Sequence, residues 1–505
     1  MRINLSNKIW ALIPFAAALN IICGWISAFC RLPLYLDSIG TVLAACLAGP
    51  AAGVLTAVTA NLVSVFTGGP AWLFFLPTAA VLGWSAGKLA KLGMMNSKST
   101  AAAAGLLLGI ICAACSAPIA SELLQGSTGG GTDLLTAAFR AMGLSRLQAC
   151  FAQSMSVDPL DKAISCLLAQ ILLSGLPASI LSYFDQEGTG LGFRRSADSY
   201  KPYASDDARS GETAPLTESE SCGLGLYIKE EGFLHRVSLN AKWLLLLIAF
   251  TVSLRLPIYL KQLIYGLPSE QSPEALKLYV LSVLPVFMGL LLMLAIFGKI
   301  AVPFAKITVC AVLPLCVSMI CINGFLSSPD SALEIWQGFS LPWSEQAAWQ
   351  AASVSLKIAL VFEALILLLM TTTPQQIMKD LERKGVPPRF AHTVSATLYL
   401  LPKLTKKTRQ ILEARLTRAL PWSSSKFQQL KIWLSIVTPL ILSVVWESQQ
   451  RAMALEARGF GIRSRTGVPS GPPASRQDKI TVFLLVLIWL ILLALPTLQT
   501  AIDRL

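Results

Sequence analysis

Ala351-Ala-Ser-Val-Ser-Leu-Lys-Ile-Ala-Leu-Val-Phe-Glu-Ala-Leu-Ile-Leu-Leu-Leu-Met-Thr371 is an apolar run with no Gly or Pro to break it. A helix crosses the hydrocarbon of a bilayer in about 20 mostly apolar residues, so this run is long enough to span. Runs of the same kind lie at roughly 241–260, 276–298, 300–326 and 480–500 in the second half of the chain. Six more come first, at roughly 8–30, 36–49, 51–67, 71–92, 99–124 and 160–184. The 505 residues are 54% hydrophobic and only 14% charged, with a mean hydropathy of +0.61. A water-soluble core of this size has no need of so much apolar surface. The expected fold is an all-α integral membrane protein, a six-helix half followed by a half of about five transmembrane helices.

The breaks between runs carry Pro, Gly or charge. Two short runs meet at Gly49-Pro50, and because Pro suits a first helical turn and breaks an interior, a tight helical hairpin is expected there. Residues 185–233 are polar and rich in Ser, Gly, Asp, Glu and Arg, and form an expected linker between domains at 1–184 and 234–505. Basic residues orient the chain. With Arg2 and Lys8 in the cytoplasm, six crossings bring the linker back inside, and Lys88, Lys91 and Lys98 fall in an inside loop. The basic region from Lys379 to Lys479 also falls inside, and the short run 430–446 is read as interfacial or cytoplasmic. The carboxyl terminus is then expected outside, in a multi-pass protein of a bacterial plasma membrane.

The net charge of +13 follows from the cytoplasmic placement of Lys and Arg in membrane proteins, so no nucleic-acid partner is inferred. Most of the cysteines sit inside apolar helices and read as small packing residues. Cys112 and Cys115 have a metal-like spacing, but no second pair follows and the only histidines are His235 and His392. No metal site and no cofactor are expected. No Gly-x-x-x-x-Gly-Lys-Ser/Thr phosphate loop occurs, so the chain is not expected to be an enzyme that hydrolyses ATP itself.

Glu447-Ser-Gln-Gln-Arg-Ala-Met-Ala-Leu-Glu-Ala-Arg-Gly-Phe-Gly461 is a helical pattern without a breaker until Gly459, ending in Ala457, Arg458 and Gly459. A helix that ends in a small residue, a fixed cation and a Gly can enter a groove and offer forked bonds to carboxylates or carbonyls. With Leu234-His-Arg-Val-Ser-Leu-Asn-Ala-Lys-Trp-Leu, Thr371-Thr-Thr-Pro-Gln-Gln-Ile-Met-Lys-Asp-Leu and Tyr399-Leu-Leu-Pro-Lys-Leu, this stretch resembles the transmembrane (T) component of energy-coupling factor transporters, from about 234 to 505. The resemblance implies cytoplasmic coupling helices at about 374–461, and docking of one or two cytosolic ABC-type ATPase subunits through Ala-Arg-Gly-like helix ends. The second such end is intact at Ala457, Arg458 and Gly459. The first aligns with Thr417, Arg418 and Ala419, where only the Arg is kept. The alternative for both arginines is anchoring at anionic membrane lipids.

Leu32-Pro-Leu-Tyr-Leu-Asp-Ser-Ile-Gly-Thr41 and Gly49-Pro-Ala-Ala-Gly-Val-Leu-Thr56 resemble early helices of the substrate-binding (S) component of the same transporters, over about residues 8–184. Ala16, Asn20, Gly24 and Ala28 form a small-residue stripe that would pack either on the T half or within the first half. Asp37, Asn61, Trp72 and Glu122 fall toward the outer ends of their helices and are the candidate solute-binding residues. Their bland alternatives are wetted acids, an interhelical amide and an aromatic-belt anchor. The stretch 126–159, with Arg140 and Arg146, reads as a long outer loop that could cover the site. Metal-importing relatives rely on an N-terminal histidine, absent here, so the implied cargo is a vitamin or similar small organic solute. The competing function is a membrane ligand sensor or scaffold without ATP-driven transport.

Overall fold

The computed structural model describes residues 6–29, 34–68, 71–126, 132–175, 234, 237–265, 284–326, 331–336, 339–416, 439–440, 443, 446–457, 481–487 and 489. The linker 185–233, most of 430–446, and all but a part of 480–500 lie outside these residues. The first half contains α1 (Asn7–Phe29), α2 (Ile39–Gly68), α3 (Ala71–Phe74), α4 (Leu76–Lys91), α5 (Lys98–Glu122), α6 (Asp133–Ala141) and α7 (Arg146–Gly175). The second contains α8 (Leu239–Tyr265), α9 (Leu284–Phe297), α10 (Ala301–Leu326), α11 (Glu345–Thr371), α12 (Pro374–Arg383) and α13 (Pro388–Leu416). Residues 446–457 are helical as well. Among the described residues, the one departure from an all-helical design is an antiparallel hairpin, β1 (Ser331–Trp336) with β2 (Phe339–Trp343), between α10 and α11. Among the described residues, helices α1, α2, α5, α10 and α11 contain stretches long and apolar enough to cross a membrane.

Local chemistry sets the helix ends. The Ser97 hydroxyl accepts the Thr100 N–H, and the Thr100 hydroxyl in turn accepts the Ser97 N–H, so α5 starts on a capping box. The same device, Thr373 with Gln376 and Pro374 in the first turn, starts α12 directly after α11. Within α2, Gly49 has φ 83° and ψ −177°, a conformation closed to other residues. The chain reverses there. The Cβ that Gly53 lacks would stand 2.8 Å from the Cβ of Ala45, whereas residues 45 and 53 of a straight helix are about 12 Å apart. The expected hairpin at Gly49-Pro50 is therefore present, as two arms, 39–48 and 50–68.

Glycine contacts assemble the rest of the first half. Gly53 and Gly83 bring α2 and α4 together backbone to backbone. On α5, a Cβ at Gly109 would come within 2.2 Å of the Pro159 Cα, and one at Gly105 within 2.5 Å of the Lys162 carbonyl oxygen. Helix α7 can approach so closely only because those side chains are missing. Gly109→Ala is accordingly expected to lose most of the monodisperse protein recovered on size exclusion. Gly175→Ala, with nothing within 4 Å of the added carbon, is expected to leave recovery unchanged.

The expected outer loop 126–159 is corrected by the structure. It holds α6 and the start of α7, so the last helix of the first half begins at Arg146 and not near 160. Pro159, at the end of the expected loop, lies inside α7. Asp161 and Lys162, which follow it, are ion-paired in the interior, as described below.

Candidate functional site

A cavity of about 390 Å³ opens among α1, α2, α3, α4, α5 and α7, within the roughly 300–1,000 Å³ of small-molecule sites. Gln153, Ser154, Asp158 and Lys162 of α7 are among its polar lining groups, and Asp161 and Ser165 lie behind them on the same helix. Asp158, Asp161, Lys162 and Ser165 have helical i, i+3, i+4, i+7 spacing, and all are buried. Lys162 Nζ donates to Asp161 Oδ2 at 2.7 Å and to Asp37 Oδ1 at 3.1 Å. Asp161, fully buried, also accepts the N–H groups of Tyr35 at 2.9 Å and Leu36 at 2.8 Å through Oδ1. These two bonds hold Leu36 at φ 52°, a strained value for a branched residue. The segment 34–38 is thereby clamped to α7, and Asp37 is aimed at the cavity.

Asn20 organises the opposite wall. Its Oδ1 accepts the N–H groups of Gly40 at 2.6 Å and Thr41 at 3.2 Å, and its Nδ2 donates to Thr41 Oγ1 at 2.7 Å. Gly40 is required by the approach of α1, since a Cβ there would lie 2.0 Å from the Ala16 carbonyl oxygen. Ala16 and Asn20 of the small-residue stripe thus serve packing within the first half. The Ala28 side chain lies outside the described residues. Asn20→Ala leaves two amides at the start of α2 without an acceptor. About 1–3 kcal/mol of stability is expected to be lost, measured as a lower thermal midpoint of the purified chain.

Three of the four expected binding residues, Asp37, Asn61 and Trp72, line this cavity. Glu122 does not. It ends α5 on an exposed face, although Ala120, one turn-half earlier, does line the cavity. Sequence reasoning missed Tyr35, Asp158 and Lys162, and also Phe75, Thr78 and Ser116, all of which contribute to the lining. Tyr35 shares a hydrogen bond of 3.0 Å with Thr132. Burial above all pushes its hydroxyl up to about 12, so it stays protonated at neutral pH.

The second functional region is built from α12, α13 and residues 446–457. The Lys403 ammonium pairs with Glu447, and Arg451 lies 5.8 Å over the Tyr399 ring and 5.3 Å over the Phe15 ring. Residues 446–457 therefore rest on α13 and on α1 of the first half. Ser448 and Ala452 turn inward, while Met453, Glu456 and Ala457 are exposed. Helix α1 packs along α13, and Phe15 and Leu19 share one buried cluster with Leu398, Leu401 and Leu404. On another side, Ser318 of α10 donates to Asp133 of α6 at 3.1 Å, and Asn323 donates to the Gln125 carbonyl at 3.2 Å. Ala457 ends the described helix. Arg458, Gly459, Thr417, Arg418 and Ala419 lie outside the described residues.

Comparison with known proteins bears on this second region. The family described as cobalt transport protein, CbiQ, matches residues 271–468. The energy-coupling factor transporter transmembrane protein EcfT of Heliobacterium modesticaldum is 28% identical over 32% of this chain and 66% of its own length, just under two thirds. That of Brevibacillus brevis is 24% identical over 48% of this chain and 85% of its own. That of Listeria innocua is 29% identical over 23% and 47%. The apolar helices indicate a multi-pass membrane protein, and the matches make its second half similar to the transmembrane component of energy-coupling factor transporters.

Proposed function

We propose that this chain is the membrane part of an ATP-driven importer, with an S-component-like half at 1–184 that captures a small organic solute and a T-component-like half at 234–505 that docks ATPase subunits. The observation that carries the reading is the seating of α13 and residues 446–457 directly on α1, the wall helix of the cavity half. A push on the coupling helices from an ATPase has a short, packed route to the cavity. Asp37, Asn61 and Trp72 take the solute, together with groups of α7. Ala457, Arg458 and Gly459 form the main ATPase contact, and Thr417, Arg418 and Ala419 a second one. The linker and the coupling helices are cytoplasmic in this proposal, and the host membrane is the cell membrane.

ATP hydrolysis falls to one or two separate subunits, because the chain lacks a phosphate loop. The purified chain alone is expected to bind no ATP, and ATP-dependent solute uptake is expected only on coexpression with its cognate ATPases. Tight ATP binding by the single chain in an equilibrium dialysis would contradict the proposal.

A further inference from the structure

Resting on the reading of the cavity as the solute site, we infer that its ligand is an organic cation, with its charged nitrogen at Asp158 and an apolar, flat body against Trp72 and Phe75. The inference comes from a charge count in a buried place. Around the cavity the described residues place three carboxylates, Asp37, Asp158 and Asp161, and one ammonium, Lys162. Lys162 is already shared between Asp37 and Asp161. Asp161 is further satisfied by two backbone amides. Asp158 has neither. It is 8% exposed, lines the cavity, and makes no ion pair; its one described hydrogen bond is from the Ser116 hydroxyl at a long 3.4 Å, and Lys162 acts on it only through its nearby charge.

A carboxylate buried to that depth is costly unless a counter-charge meets it. The open side of Asp158 is the cavity itself, so the counter-charge is supplied by what enters. An anionic solute would meet two lining carboxylates, Asp37 and Asp158, and a single ammonium whose charge is already shared by two carboxylates. The rest of the lining suits a cation with an apolar body. Trp72 and Phe75 offer aromatic faces, to which organic cations are attracted. The Thr78 hydroxyl, buried and without a hydrogen-bond partner, offers one further polar contact.

The test uses the purified full chain and a bacterial metabolite extract split by ion exchange into cationic, anionic and neutral fractions. The readout is the thermal midpoint with each fraction. A rise of about 5 °C is expected with the cationic fraction and none with the other two. Asp158→Asn keeps the shape and the hydrogen-bonding capacity but not the charge. It is expected to show an equal or higher midpoint without ligand, because the uncompensated charge is gone, and no rise with the cationic fraction, while Trp72→Ala shows a reduced rise. A rise with the anionic or neutral fraction, no rise with any fraction, or a full rise retained by Asp158→Asn each overturns the inference. Retention of ATPase subunits by the same preparations is scored separately, so the ligand class can fail while the transport reading stands.

Discussion

Lys162→Met is expected to be among the most damaging single substitutions in the first half. Removal of the ammonium leaves Asp161 and Asp37 facing each other without a cation, beside Asp158, in a site where Lys162 and Asp161 are 7% and 0% exposed. Breaking a buried ion pair from one side costs about 3–5 kcal/mol, because the remaining charge stays desolvated. The loss is compounded structurally, since Asp161 also holds the backbone of Tyr35 and Leu36. The expected result is a sharply lower thermal midpoint and loss of solute binding. Lys162→Met combined with Asp37→Asn removes one of the orphaned charges, and should recover part of the stability without recovering binding. Lys162→Met with a wild-type midpoint would show that Asp37 and Asp161 do not depend on it.

The first half was legible where local chemistry is unambiguous. Gly49-Pro50 announces a reversal because Pro ends one arm's hydrogen-bond ladder and Gly alone takes the required φ, and the structure has that reversal. Asp37, Asn61 and Trp72 could be picked out because polar and aromatic residues near helix ends are few in so apolar a chain, and they converge on one cavity. Glu122 was picked out by the same criterion, but an acid at a helix end is just as well accommodated by facing outward.

The heart of the cavity was not read, for a physical reason. The segment 158–162 straddles the boundary between the stretch that reads as an outer loop, 126–159, and the apolar run 160–184, so its charges do not read as one helix face. Only the mutual neutralisation of Lys162 and two carboxylates, which is a tertiary fact, allows it inside a helix bundle. One signal was available. Asp158, Asp161, Lys162 and Ser165 repeat with helical spacing, a pattern expected of a polar helix face and not of a loop. The close fit of α7 on Gly105 and Gly109 is likewise invisible until the partner helix is known. In the second half the start of α12 was legible from Thr373, Pro374 and Gln376, whereas nothing in residues 331–343 distinguished a hairpin from a connection.

Arg458→Glu is expected to have the largest effect in the second half. Residues 446–457 are fixed from behind by Lys403 with Glu447, and by Arg451 over Tyr399 and Phe15. Their far end, from Met453 to Ala457, is largely exposed. A helix so anchored presents its terminus rigidly, as a docking element must. An interfacial Arg paired with carboxylates is worth several kcal/mol, and charge reversal adds repulsion to the lost bonds. Anchoring at lipid headgroups is worth only about 1 kcal/mol per cation, so the two roles of Arg458 differ widely in what reversal does.

The decisive measurement is therefore the amount of ATPase subunit that copurifies with the full chain in wild type, Arg458→Glu and Arg463→Glu, with ATP-dependent uptake scored on the same cells. Wild type and Arg463→Glu should retain the ATPases and transport. Arg458→Glu should insert in the membrane and keep its solute-dependent thermal shift, yet retain no ATPase and transport nothing. Equal, mild losses in both variants, or full ATPase retention by Arg458→Glu, would contradict the account of this chain as a solute-capturing half joined to an ATPase-docking half.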